Sequence, residues 1–260
     1  SELDNRSQYP IHILELALKA SSDKYGPYEI IFTGLTGSRN RMLIELELGT
    51  SINVHDAPTR PEWEEKAIPV IFPLMKGLLN YRIFLIHEDN KNIFENIKTI
   101  DDLKNLTAGV GEQWSTTKAL RQVGGFKLET GNNYEGLFSM LMNKRFDYFI
   151  RGMNEVFREY DERKGIYPKM MIEPYIVMEL PSPWFWFVSP KYERIAKRIE
   201  FGLHQMKANG SFDHEFYKYH EESIKKANLP NRKLFRVKNP LLTHHKIYDD
   251  PSYWIDINKD

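Results

Sequence analysis

The spacing of apolar positions predicts a chain that alternates helices with short strands. In "YPIHILELALKASSDKYG", Ile11, Ile13, Leu14, Leu16, Ala17 and Leu18 fall on one broad helical face, and Gly26 ends the run. "YEIIFTG" reads as a short strand closed by Gly34. "SRNRMLIELELG" reads as a helix with Ser38 as N-cap and Gly49 as its stop. "SINVHDAPT" is a strand running into a proline-containing loop. Helix, strand, helix, strand is the order of an α/β layer, which favours parallel strands.

"NYRIFLIHEDN" predicts a strong strand from Tyr81 to His87 whose end dissolves into charge, and a first domain crossing is placed there. "TIDDLKN" opens a new unit, with Thr99 capping a short helix whose first-turn acids suit the helix dipole. "TAGVG" follows as a strand, then "STTKALRQVGG" and "NYEGLFSMLMNKR" as helices. Lys144 and Arg145 make a tight turn, and "FDYFIR" enters the second sheet. A charged helix, "NEVFREYDERKG", leads to an extended piece reaching Leu180. "WFWFVSP" is apolar throughout, as in a strand covered on both faces or the wall of a binding site. Two helices follow, the first with Ile195, Ile199, Leu203 and Met206 on one face and Gly210 at its end. The tail from residue 230 has little periodicity and is expected to wrap the surface.

Composition narrows the partners. The chain of 260 residues carries 36 basic and 36 acidic side chains, so electrostatics proposes neither nucleic acid nor an anionic membrane. Cysteine is absent, which excludes disulfides and thiolate metal sites. No apolar run approaches the roughly 20 residues that span a bilayer. "SELDNRSQYP" has neither the basic nor the apolar region of a secretory signal, a pattern that suits a processed mature protein or a cytosolic one.

Three stretches together resemble the periplasmic solute-binding proteins of family 3, which serve ABC importers. They are "TIDDLKNLTAGVGEQWSTTKAL", "YEGLFSMLMNKRFDYFIRG" and "WFWFVSPKYERIAKRIEFGLHQMKANGSFDHEFYKYH", and the likeness runs from about residue 9 to about residue 225. The resemblance implies a type 2 periplasmic-binding-protein fold of two α/β lobes that close on a small molecule without turning it over. Lobe 1 would be residues 1–88 and 185–260 and lobe 2 residues 89–184, with crossings near 87–91 and 183–189. It further implies a monomer, a periplasmic location, an inner-membrane ABC permease as partner, and no cofactor. A ligand-sensing module of the same fold is the competing reading.

Departures from the family pattern bear on the ligand. The family opens with an apolar strand that "SELDNRSQ" cannot make. The loop "APTRPEWEEK" has Glu62 or Trp63 where amino-acid binders carry a carboxylate-clamping Arg, and Arg60 is displaced. Gly152 stands where an ammonium-pairing Asp is expected, and Trp114 replaces the glycine before the Thr-Thr turn. The expected ligand is therefore a small anionic or carboxylate-bearing solute other than a common α-amino acid.

The candidate binding residues follow from chemistry and placement. Ser115 and Thr116 (with Thr117) open a helix, where hydroxyls and free N–H groups can hold an anionic oxygen; either can equally be an ordinary N-cap. Arg151 ends a strand, where ligands of open α/β sheets collect, and its fork fits a carboxylate; a surface ion pair to Glu155 is the alternative. Thr59 and Arg60 occupy the lobe 1 loop. Lys76, beside Gly77, reaches the cleft or snorkels at the surface. Trp114, Tyr134 and Trp63 offer aromatic walls or lobe packing, and Arg39 is a weaker candidate. Catalytic and metal readings find little support: His244 and His245 are adjacent with Asp249 and Asp250 nearby, His214 and His220 are six apart, and no phosphate loop or nucleophile elbow occurs.

Overall fold

The structure, a computed structural model, describes residues 5–257. The first half of "SELDNRSQ" and the end of "DINKD" lie outside the described residues. Strands form in chain order as β1 (Val54–Pro58), β2 (Ile68–Val70), β3 (Tyr81–His87), β4 (Thr107–Gly111), β5 (Lys127–Gly131), β6 (Tyr148–Gly152), β7 (Met170–Ile172), β8 (Ile176–Glu179), β9 (Trp184–Val188) and β10 (Lys233–Arg236). They divide into two sheets in two compact α/β units. This is the two-lobed organisation that the resemblance implied.

The first unit comprises the chain up to Lys76, Pro183–Glu221 and Thr243–Trp254. Its sheet has the order β1-β9-β2, with Val54 and Ile68 flanking Val188 from opposite sides. Both pairings are antiparallel, so the expectation of neighbouring parallel strands is corrected here: the apolar return strand inserts between β1 and β2. Phe185 and Phe187 of β9 are fully buried against Trp63, Leu46 and Met42. Ser38 caps helix Arg39–Leu48 by accepting from the Arg41 amide, and Gly49 closes it at φ +61°.

"YEIIFTG" is not a strand. Residues 26–38 are irregular, with Ile31 and Phe32 exposed by 75% and 55%. Strand-like composition does not make a strand without a neighbour to complete its backbone hydrogen bonds, and no ladder reaches this segment. Tyr28 is tied instead to helix Asn5–Ala20, its hydroxyl donating to the Glu15 carbonyl at 3.2 Å.

That helix packs on helix Glu193–Ala208 with almost no gap. A Cβ on Gly202 would lie 1.9 Å from the Ala17 carbonyl oxygen. Arg198, one turn earlier, donates to the carbonyls of Gly26 and Leu18 at 2.7 and 3.2 Å, joining the end of the first helix to the second. Because the obstacle is backbone, Gly202→Ala must part the helices, and we expect a loss of about 1–3 kcal/mol, the usual cost of overpacking. Urea unfolding at neutral pH measures it; a change below about 0.5 kcal/mol would mean that the two helices are not held at this distance.

The second unit comprises Gly77–Ser182, Glu222–Leu242 and the chain from Ile255. Its sheet runs β10-β8-β3-β6-β4-β5, with β7 also beside β3. β4 is parallel to β5 and β6, β10 is parallel to β8, and β3 is antiparallel to its three neighbours. Thr99 starts the short helix Ile100–Asn105 with a capping box, accepting from the Asp102 amide while Asp102 accepts from its own.

The lobe boundaries drawn from the sequence are corrected in two places. β3 belongs to the second unit, so the first change of unit falls at Lys76–Gly77 rather than after His87. Every residue of β3 is buried and it has strands on both sides, so the break in composition after His87 marks the end of a central strand and no boundary. The tail is also divided, because β10 pairs with β8 (Leu234 opposite Val177) and carries residues 222–242 into the second unit. The later change, at Ser182–Pro183, lies just before β9.

Candidate functional site

Arg151 lies at the end of β6, as the sequence suggested, but its guanidinium does not stand free. Nε donates to Glu159 Oε2 at 2.5 Å, Nη2 donates to Glu159 Oε1, and Nη2 is also 3.0 Å from Glu155 Oε2. The guanidinium carbon lies 4.7 Å from the Trp114 ring centre and 5.5 Å from that of Tyr134. Burial alone would lower the Arg151 pKa, yet the two carboxylates outweigh it and hold the pKa above the ordinary arginine value. Burial raises and Arg151 lowers the pKa of Glu159, and the net direction is down. Burial, reinforced by Glu159, pushes the Tyr134 hydroxyl up, and that hydroxyl donates to Glu159 Oε1 at 2.6 Å.

Glu159 is fully buried, at 0% exposure. It sits on the inward face of helix Met153–Arg163, in register with Met153 and Val156. Neither sequence alternative for Arg151 therefore holds as drawn: the guanidinium is neither open to a ligand nor engaged only in a surface pair. It is the cation of a buried ion pair. Three candidates, Trp114, Tyr134 and Arg151, do come together, but around a carboxylate of the chain itself.

Trp114 is the N-cap residue of helix Ser115–Val123, so Ser115 and Thr116 occupy its first turn and neither is the N-cap. The Trp114 ring stacks on Phe149 with 6.0 Å between centres, in space left by the missing side chain of Gly111. Thr117 donates to the Gly111 carbonyl at 2.6 Å, while Ser115 is half-buried and Thr116 buried.

In the first unit, Thr59 donates its hydroxyl to Glu64 and its amide to the Pro183 carbonyl. Arg60 is buried, donates Nη2 to Asn40 Oδ1 at 2.9 Å and has Nε 2.9 Å from Glu62 Oε2, an ion pair off the hydrogen-bond axis. Burial lowers its pKa against the pull of Glu62. Lys76 is also buried rather than snorkelling: Nζ donates to Asp213 Oδ1 at 2.7 Å and to the Ser252 carbonyl at 3.0 Å. Lys207 donates to the same two groups, so Lys76 and Lys207 pin the tail to helix Ser211–Ala227. Arg39 lies over the Trp184 ring at 5.0 Å, and Trp63 is core. His245 meets Glu64 at 3.1 Å and His244 meets Asp249 at 3.3 Å.

Sequence reasoning missed Glu159, read only as part of a charged helix, and Arg82, read only as part of an apolar strand. Glu159 carries one available signal: it lies three and six residues after the apolar Val156 and Met153, on their helical face. Arg82 is 6% exposed in β3, directly opposite Gly152 of β6. Its Nη2 donates to Ser182 Oγ at 3.0 Å, while the buried Nε has no partner. Burial, helped by Arg151 and opposed by Glu155, depresses its pKa to about 10.

No protein-family model matches the chain, and no curated protein sequence matches it. Solved structures do. An ancestral arginine-binding protein bound to arginine shares 18% identity at a TM-score of 0.57, over 80% of this chain and 86% of that one. A putative ABC-transporter binding component from Wolinella succinogenes, complexed with lysine, shares 16% at 0.57 over 79% and 84%. The arginine-, lysine- and histidine-binding protein ArtJ from Geobacillus stearothermophilus shares 15% at 0.55 over 82% and 85%. At these identities the likeness establishes the fold, that of the type 2 periplasmic binding proteins.

Proposed function

We propose that the chain is a solute-binding protein that captures a small polar molecule for an ABC-type importer, acts outside the inner membrane and does not transform what it binds. One observation carries this reading: about four-fifths of the chain follows the fold of proteins described as amino-acid-binding proteins or as an ABC-transporter binding component complexed with an amino acid. Among the described residues no helix is long and apolar enough to cross a membrane.

The charge of the solute is read differently once the side chains are in place. Beside the helix start at Ser115 and Thr116, Arg151, Arg60 and Lys76 were reasons to expect an anion, and each faces a carboxylate of the chain: Glu159 with Glu155, Glu62, and Asp213, the last shared with Lys207. Adding an anion beside a compensated pair leaves its charge unbalanced, at a cost of several kcal/mol when buried. A solute without net charge, zwitterionic or neutral, is the better fit.

A thermal-shift screen of amino acids, carboxamides, dipeptides, dicarboxylates and polyamines tests both parts. A ligand present at 100 times its Kd stabilises by about 2.7 kcal/mol, enough to raise Tm by roughly 5 °C or more in a chain of this size. Net-neutral compounds should supply the shifts. Succinate or citrate giving the largest shift would overturn the charge assignment, and a flat screen across every class would count against solute capture.

A further inference from the structure

We propose that Arg82 and Asn154 form a recognition site for a carboxamide or urea-type group, with Glu155 as its third wall. This rests on the solute-binding reading and assigns to it a site and a chemical group.

The site is built across the β3–β6 ladder. Arg82 and Gly152 are directly paired, so their side-chain directions share one face of the sheet. Gly152 has no side chain, and the space beside it is taken by Leu79, whose Cδ2 lies 3.0 Å from where a Cβ would be, and by its own successors. Asn154 Oδ1 lies 2.7 Å, and Glu155 Oε2 3.1 Å, from where a Gly152 Cβ would be. Glu155 holds its place by accepting from the Gly152 amide at 3.2 Å. Two groups here lack partners. Arg82 Nε is a buried donor with nothing to donate to, and Asn154 Oδ1 is a buried acceptor with nothing to accept from. Buried polar atoms are nearly always paired in a folded protein, and two unmet atoms of opposite character, on the residue opposite Gly152 and on the residue two after it, call for a partner. Asn154 and Glu155 are half-buried as residues, while the two unpartnered atoms are themselves buried, so a ligand reaches them by displacing the exposed parts of these two side chains.

Charge and hydrogen-bond character then select the ligand. Arg82 and Arg151 face Glu155 and Glu159, two cations against two anions, and a net charge added there would stand uncompensated. The open valences are one N–H donor on Arg82 and acceptors on Asn154 and Glu155. A carboxamide answers both at once, its carbonyl oxygen accepting from Arg82 Nε and its NH2 donating to Asn154 Oδ1 and Glu155. A carboxylate satisfies Arg82 but turns oxygen against oxygen at Asn154. An ammonium does the reverse and meets the guanidinium.

The experiment uses two isosteric probes, propionamide and propionate, on the whole protein labelled with 15N-arginine. The Nε–H resonance of Arg82, identified by its loss in Arg82→Lys, is followed through each titration. Propionamide should move it saturably in the millimolar range, at least tenfold more tightly than propionate. Asn154→Ala, a half-buried change in the first turn of a helix, should weaken propionamide about tenfold and, by removing the opposed oxygen, strengthen propionate, so that the preference between the two probes is lost. Propionate binding as well as propionamide, or neither probe moving the signal, overturns the proposal; the second result leaves water as the only occupant. The two readings can fail separately. A screened solute that binds Arg82→Lys and Asn154→Ala as tightly as the parent protein overturns this site and leaves solute capture standing. Propionamide saturating Arg82 in a protein that none of the larger screened solutes stabilises upholds the site and counts against capture.

Discussion

Arg151→Ala is expected to cost about 3–5 kcal/mol of folding stability, the range for breaking a buried ion pair from one side. The reason lies in its partner. Glu159 is completely buried, and both of its oxygens receive hydrogen bonds from Arg151. With the guanidinium gone, the Tyr134 hydroxyl still donates to that carboxylate and Arg163 still attracts it, but neither replaces the paired hydrogen bonds, and burial raises the cost of its charge. The chain must then keep an uncompensated anion in the interior, take up a proton, or open the helix. Chemical denaturation of the parent and the variant at pH 7 measures the loss. The double variant Arg151→Met, Glu159→Leu should recover most of it, since matched apolar groups can replace a buried pair at little cost. A single variant within about 1 kcal/mol of the parent, combined with a ten- to hundredfold weaker ligand, would instead restore Arg151 to the role of an open ligand contact. Few single positions in a domain remove several kcal/mol, so the two outcomes are easy to separate.

The difference between reading Arg151 from sequence and seeing it in place shows where sequence patterns stop. Two helices announced by caps were legible to the residue, one bounded by Ser38 and Gly49 and one opened by Thr99, because capping is chemistry between residues a few positions apart; at Ser115–Val123 the cap is Trp114, one residue before the hydroxyls that suggested it. β3, β4, β6 and β9 were legible as apolar runs. "YEIIFTG" was misread because a strand is completed by a neighbour the local sequence does not contain. The unit boundary was misplaced for the same kind of reason, since β3 joins a sheet through Phe149 and Ile150, more than sixty residues away. In the candidate site, placement was readable and engagement was not. Trp114, Tyr134 and Arg151 do gather, yet whether a cation is free depends on which carboxylate folds back onto it. Glu159 is eight residues from Arg151 in sequence, Asp213 is far from Lys76, and a charged helix does not state which of its acids turns inward.

His220 should make the protein acid-sensitive in a defined window. Its ring is buried beside Tyr9, 4.5 Å between ring centres, and Phe216, at 5.1 Å, and its Nε2 has no hydrogen-bond partner. Burial, with no compensating carboxylate, depresses its pKa from 6.5 to about 4. The sign follows from which state holds the proton. Above about pH 6.5 the imidazole is neutral in both the folded and the unfolded chain, and it contributes no pH dependence. As pH falls from 6.5 towards 4 the unfolded chain takes up the proton and the folded protein does not, so stability drops by about 1.4 kcal/mol per unit. Below about 4 the folded form protonates as well and this contribution levels off. The total over the window is about 3 kcal/mol. Carboxylates elsewhere also titrate there, so the measurement must be a difference. Urea unfolding of the parent and of His220→Leu at pH 7 and pH 4 isolates it: relative to the parent, the variant should gain about 3 kcal/mol on going from the higher pH to the lower. An unchanged difference between the two proteins would mean that the buried imidazole accepts a proton as readily as a solvated one, which its apolar and aromatic surroundings give no means of doing.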